Sequence, residues 1–304
     1  MVSTMRIVFL GTSGSYPSPK RSLPSIAVQL DSEVLLLDCG EGTQRQIMLS
    51  NVSYMKISKI FITHLHGDHF LGIPGLVQSM SLNDRKEPLY IYGPRGTIEM
   101  MNSALMLGYY TLTFPIYLQE VYPGEILRFQ GYSVRVGKAN HPVPSLVYEI
   151  IEDDLVRIDE EKKRKYGLSS EEVEVIRKTG KIVKDGREIK LEDIAGGIRK
   201  GRRIVYTGDT APSEEIEKMA RNADVLIHEA SVDSSLEEKA NRYGHSSARQ
   251  AAEIARRANV RYLFLFHISP RYKKAKILEA EAKKIFPNSR VPDDLEEFIV
   301  KVRK

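Results

Sequence analysis

Cysteine and tryptophan are nearly absent from this chain. Its 304 residues include one cysteine, Cys39, and no tryptophan. A single cysteine excludes any intramolecular disulfide, which points to a reducing, cytoplasmic setting. Cys39 follows an apolar run and reads as a small buried residue. No apolar run approaches the roughly 20 residues that cross a bilayer, so no membrane association is expected. The N-terminal run Met5–Gly11 is too short for a secretory signal and reads as a first strand. Histidine is also scarce, with seven in the chain, so each can be examined in turn.

Hydrophobic residues make up 42%, ample for a large core in one big domain or two. The net charge of +5 is a modest excess, compatible with an anionic partner. Basic clusters lie at 162–165, 199–203 and 271–274, and each taken alone reads as a solvated face. Short apolar runs predict strands at 7–10, 26–30, 34–38, 57–63, 89–92, 134–138, 146–150, 203–206, 225–228 and 262–267. Helical patterns fall between them at 42–49, 70–81, 96–107, 214–221, 246–258 and 274–285. This alternation indicates an α/β chain with a layered sheet. The composition shifts over 152–200 to Lys, Glu, Asp, Arg and Gly with few aromatics. One helix is expected there, over 169–178, opened by Ser169 and Glu172 in a capping box. The segment falls between two core strands and reads as an insertion that leaves the globule, with a composition unsuited to burial in the core.

The densest chemistry lies in Thr63-His64-Leu65-His66-Gly67-Asp68-His69. Imidazole and carboxylate at this density suit Zn²⁺, with Mn²⁺ or Fe²⁺ also compatible. His64 and His66, two apart on an extended turn, can face one metal; Asp68 and His69, beyond the turn at Gly67, can face a second. Three histidines and an aspartate in six positions are hard to read as a solvated surface. His141, His228 and His267 lie at or after predicted strand ends, Asp209 ends another, and His245 precedes a helix. Strand ends beside Gly or Pro are where α/β folds place ligands.

The pattern at 64–69, with the later histidine, the aspartate of Gly208-Asp209-Thr210 and the last histidine, resembles the signature of the metallo-β-lactamase superfamily. Phe9-Leu10-Gly11-Thr12, Leu37-Asp38-Cys39-Gly40-Glu41-Gly42, His228-Glu229-Ala230-Ser231, Gly244-His245-Ser246-Ser247 and His267-Ile268-Ser269-Pro270-Arg271-Tyr272 narrow the resemblance to the ribonuclease Z family of tRNA 3′-processing endonucleases. It runs nearly the whole length and implies a single four-layer αβ/βα sandwich over 1–304 with a tRNA-binding arm inserted at 152–200. It further implies two Zn²⁺ per chain, one held by His64, His66 and His141 and the other by Asp68, His69 and His267, with Asp209 and a hydroxide between them. Asp68 would also orient the nucleophilic water. Two Zn²⁺ less three anionic ligands leave a charge of about +1, suited to a phosphodiester and its transition state. Water on Zn²⁺ ionises near pH 7, which supplies a nucleophile without an activated Ser or Cys.

The resemblance makes His245 and Glu229 an acid–base pair that protonates the departing 3′ oxygen, leaving a 3′-hydroxyl on the tRNA. His228 reads as structural, and Asp38 as a support for a metal-bound histidine. The resemblance also implies a homodimer acting on precursor tRNA, in the cytoplasmic setting expected from the single cysteine. The sequence departs from the family pattern in two places. Ser22 ends the loop Pro17-Ser18-Pro19-Lys20-Arg21-Ser22, where Asn is common in a loop placed to read the tRNA end, and the arm tip at 167–172 has no proline. The main rival is a phosphodiesterase for small or cyclic diesters, which leaves the basic insertion without a purpose. Thioester and lactam hydrolases share the metal motif but have no need of the Glu229–His245 pair. A non-catalytic RNA-binding module has no need of seven intact ligands.

Overall fold

Along the first strand, Met5–Gly11, Ile7 and Phe9 pack to one side and Val8 and Leu10 to the other, and all four are buried. A strand buried on both faces needs a layer on each side. The computed structural model, which describes residues 4–303, supplies both layers. The first strand belongs to a seven-stranded sheet ordered Glu297–Ile299, Met5–Gly11, Ser25–Leu30, Glu33–Leu37, Ile57–Phe61, Leu89–Gly93, Ile116–Glu120. A second seven-stranded sheet runs Ser289–Arg290, Tyr262–Phe266, Val225–Glu229, Arg203–Tyr206, Leu146–Glu152, Tyr132–Lys138, Ile126–Phe129. Phe9, Leu35 and Phe61 of the first sheet share one cluster with Tyr148, Tyr206 and Phe266 of the second, so the sheets pack face to face. Val8, Leu36 and Ile60 pack outward against Leu76 and Met80 of the helix Ile73–Leu82. Leu226 and Leu263 pack outward against Ala251 and Ala255 of the helix Ala248–Arg257. The result is the four-layer αβ/βα sandwich.

The helix expected over 70–81 is two pieces, Gly67–Phe70 and Ile73–Leu82. Gly72 makes the break. A Cβ there would lie 2.1 Å from the Gly40 carbonyl, and Pro74 then opens the second helix. Asp68 and His69 therefore sit on a helical turn that itself begins at Gly67. The strands Ile116–Glu120 and Ile126–Phe129 at the sheet edges were not expected. Among the described residues, no helix is long and apolar enough to cross a membrane.

Glu152–Arg202 forms most of a second compact unit. It contains the strand pairs Leu155–Ile158 with Ala195–Arg199 and Lys181–Lys184 with Arg187–Lys190, and the helices Glu160–Lys165 and Ser170–Thr179. Asp185 and Gly186, both at positive φ, make the tight turn of the second pair. Ser169 and Glu172 form the expected capping box. The segment contributes nothing to the three large clusters of the sandwich, and it has aliphatic residues enough for a cluster of its own. Leu168, Val173, Ile176, Ile189 and Ile194 make a small core of their own.

Candidate metal centre

The chemistry gathers where several strands of the first unit end. Thr63 to His69 follow Ile57–Phe61, His141 follows Tyr132–Lys138, Asp209 follows Arg203–Tyr206, and His267 follows Tyr262–Phe266. Seven residues expected as ligands converge. His64, His66, His141 and Asp209 form one group, and Asp68, His69 and His267 a second. Asp209 faces both, with Oδ2 3.7 Å from His64 Nε2 and Oδ1 3.4 Å from His69 Nε2 and 3.2 Å from His267 Nε2.

The donor set fits divalent cations. His69 Nε2, Asp209 Oδ1 and His267 Nε2 are buried and hydrogen-bonded to nothing, a costly state for polar atoms unless they share a ligand. Asp68 Oδ2 completes the ring, 3.6 Å from His69 Nε2 and 3.5 Å from His267 Nε2. A tetrahedron with metal–ligand bonds of about 2.05 Å has edges of about 3.3 Å, which matches these separations. In the other group His66 Nδ1 lies 3.0 Å from His64 Nε2 and 3.4 Å from His141 Nε2.

The remaining ring nitrogens of four of these histidines are held from behind, which fixes tautomer and orientation. His64 Nδ1 meets Thr63 Oγ1, His141 Nδ1 meets the Gly244 carbonyl, His267 Nδ1 meets Ser231 Oγ, and His69 Nδ1 meets Asp38 Oδ2 at 2.7 Å. Asp38 also accepts from the Thr63 amide and the Tyr206 hydroxyl. Burial opposes charge on His69, but Asp209 and Asp38 outweigh it and hold its pKa well above the ordinary value. Burial likewise opposes ionisation of Asp209, and His267 and His69 outweigh it, keeping that carboxyl well below the usual range. Asp68 is lowered in the same way, mainly by His267. Burial lowers His64, helped by His69, and lowers His141.

Glu229 is fully buried. Its Oε1 accepts from the Thr210 amide and meets His245 Nδ1 at 2.9 Å, and its Oε2 accepts from Ser231. Burial disfavours the His245 imidazolium, yet Glu229 prevails and its pKa is raised to about 9. His245 borders a cleft of about 310 Å³ shared with His267, Ser231, Tyr243 and Arg271. His228 adjoins Glu229 in sequence and is fully buried; its Nδ1 meets the Glu229 carbonyl, its Nε2 has no hydrogen-bond partner among the described residues, and burial lowers its pKa.

The backbone is strained here, with Asp38 at φ 57° and His267 at φ 57°. Gly14 lets the first loop approach, since a Cβ there would stand 2.4 Å from His267 Nδ1. Sequence reasoning missed Ser231, Thr63, Tyr206 and Ser15, whose amide donates to Asp68 Oδ2 at 2.9 Å. The contacts of Ser15 and Tyr206 cross 53 and 168 residues, and no local pattern signals them.

Two facing sheets flanked by helices, with this His/Asp centre at the strand ends, define a metallo-β-lactamase-fold hydrolase. A beta-lactamase superfamily domain model matches residues 149–268, and a model described as anti-Pycsar protein Apyc1 matches residues 5–119. The chain is 51% identical to a ribonuclease Z of Thermoplasma acidophilum, covering 100% of this chain and 99% of that one. It is 40% identical to a ribonuclease Z of Pyrococcus abyssi, over 98% and 96% of the two chains. The human tRNase Z short form superposes with a TM-score of 0.73 at 28% identity, covering 98% of this chain and 100% of that chain. The chain belongs to the ribonuclease Z family and is a hydrolytic endoribonuclease.

Proposed function

We propose that this enzyme removes the 3′ trailer from precursor tRNA with two Zn²⁺ per chain. The observation that supports this reading is the pair of donor groups sharing Asp209, set beside the Glu229–His245 pair. In this assignment His64, His66 and His141 would hold one ion and Asp68, His69 and His267 the other, with Asp209 near both groups. When bound, the two cations supply Lewis-acid charge to the phosphodiester and ionise water as the nucleophile. Asp68 would accept a hydrogen bond from the attacking water and so orient it. His245, kept as imidazolium by Glu229, donates its Nε2 proton to the departing 3′ oxygen, so the tRNA leaves with a 3′-hydroxyl. Ser231 and the Thr210 amide fix the Glu229 carboxylate, and so the direction of the His245 ring. The Glu152–Arg202 unit serves as an arm that grips tRNA, its exposed Lys162, Arg164 and Lys165 contacting phosphates without reading sequence. From the family likeness we also infer a cytoplasmic homodimer.

Incubation with a precursor tRNA and with a bis-nitrophenyl phosphodiester tests the reading. Release of a trailer from a mature 3′-hydroxyl end supports it, and hydrolysis of the small diester alone favours the small-phosphodiesterase alternative. The acid role has its own test. A positioned general acid contributes roughly 10²–10⁴-fold when the leaving oxygen bears charge poorly. Nitrophenolate needs no proton, so His245→Ala is expected to lose activity on RNA by that factor and far less on the nitrophenyl diester. Equal losses on both substrates remove His245 from the role.

A further inference from the structure

The loop between the first two strands is closed at its base and fastened at its tip. At the base, a Cβ on Gly11 would lie 1.8 Å from the Leu23 carbonyl, and Ser13 donates to the Ser22 carbonyl. At the tip, Gly14 donates to the Ile268 carbonyl and the Ser15 amide to Asp68 Oδ2. Behind the loop lies the C-terminal segment. Asp294 Oδ1 accepts from Thr12 Oγ1 at 2.7 Å, and its Oδ2 accepts from the Ser22 amide at 2.6 Å and Gln46 Nε2 at 3.1 Å. Arg21 spans the same gap, donating to Thr12 Oγ1, the Pro292 carbonyl and Asp293 Oδ1. Its side chain is only 13% exposed. Leu295 is held at φ 68°, a left-handed conformation rare for leucine, while its amide donates to Phe9. Backbone strain of this kind persists only where the surroundings over-determine it.

We propose that Arg21 and Asp294 form a clasp that positions the loop against Asp68, making Arg21 a positioning residue and not an RNA contact. The motif that resembles a tRNA reader thus divides its work. Lys20 is exposed and presents its charge to the substrate, whereas the Arg21 guanidinium is spent on internal acceptors. The clasp reaches the metal centre through the loop and the Ser15 amide, and this step rests on Asp68 being a ligand.

Two measurements on the full-length protein test it. In Zn²⁺ competition with a chromogenic chelator, Asp294→Ala is expected to lose about tenfold or more in affinity for one of two ions, the range that follows loss of an outer partner. Asp294→Asn, which keeps an acceptor and can donate to Thr12, is expected to restore most of it. In binding of precursor tRNA across a salt series, Arg21→Ala is expected to leave the log–log slope unchanged, while Lys20→Ala lowers it by about 0.7–0.9. A folded Asp294→Ala with both Zn²⁺ affinities intact overturns the clasp, as does a slope in Arg21→Ala that falls like that of Lys20→Ala. Should Asp294→Ala fail to fold, Thr12→Val, which removes one hydroxyl from the clasp, takes the same readouts. A wild-type chain that binds no Zn²⁺ would refute the metal assignment instead, and the salt slope would still judge Arg21.

Discussion

Asp209→Ala is expected to abolish hydrolysis of every phosphodiester and to leave the chain with fewer than two bound ions. The two oxygens of this carboxylate divide between the donor groups, Oδ2 toward His64 and Oδ1 toward His69 and His267. Asp209 groups with His64, His66 and His141, and again with His245 and His267. Loss of an outer partner costs about 10–100-fold, and loss of a shared ligand should exceed that. The sheet should survive, because Asp209 lies beyond the strand Arg203–Tyr206. His267→Ala should behave alike, and its backbone cost should be small, because His267 already holds the left-handed φ of 57° that alanine would inherit. Metal content by elemental analysis, near-ultraviolet circular dichroism and turnover of a nitrophenyl diester check these outcomes. A variant that holds two ions and keeps its activity would sink the ligand assignment.

The parts of this molecule that were legible in sequence are those written locally. The cluster at 64–69 announces metal chemistry by density alone, the strand at 203–206 matches the structure residue for residue, and Ser169 and Glu172 cap their helix as read. What escaped is set by tertiary contact. The run 70–81 looks continuous because its apolar residues are, although Pro74 lacks the amide that a continuous helix needs, and the Gly72 amide turns out to donate to the distant Cys39 carbonyl. Ile116–Glu120 and Ile126–Phe129 lie at sheet edges, half-exposed along their length, so they lack the apolar density that marks central strands. In the second unit Val173 and Ile176 share one helix face, but five aliphatics scattered among charges do not announce a core. Arg21 shows the converse case. A basic residue in a loop beside the site invites an RNA role, and only the Pro292 carbonyl and Asp293 reveal where its donors go.

Replacing Glu152–Arg202 with a short Gly/Ser linker is expected to raise the KM for precursor tRNA by roughly a hundredfold or more, the scale set by losing several phosphate contacts at once. The flanking chain permits the change. Ile151 and Arg203 are register partners on adjacent antiparallel strands, with Cα atoms about 5 Å apart, so a hairpin-length linker closes the gap. The boundaries also matter electrostatically. Glu152 pairs with both Arg199 and Arg202 in a buried cluster, and all three lie inside the replaced segment, so the cut separates none of them from each other. Every proposed ligand, and Glu229 and His245, lies outside the segment. Hydrolysis of the nitrophenyl diester should therefore persist at its wild-type rate, and precursor binding should depend less steeply on salt. Normal folding of the shortened chain is checked by its thermal transition, and metal loading by its Zn²⁺ content. An unchanged KM for precursor tRNA in a folded, two-ion variant would reject the arm's role and move the assignment toward a hydrolase of small phosphodiesters.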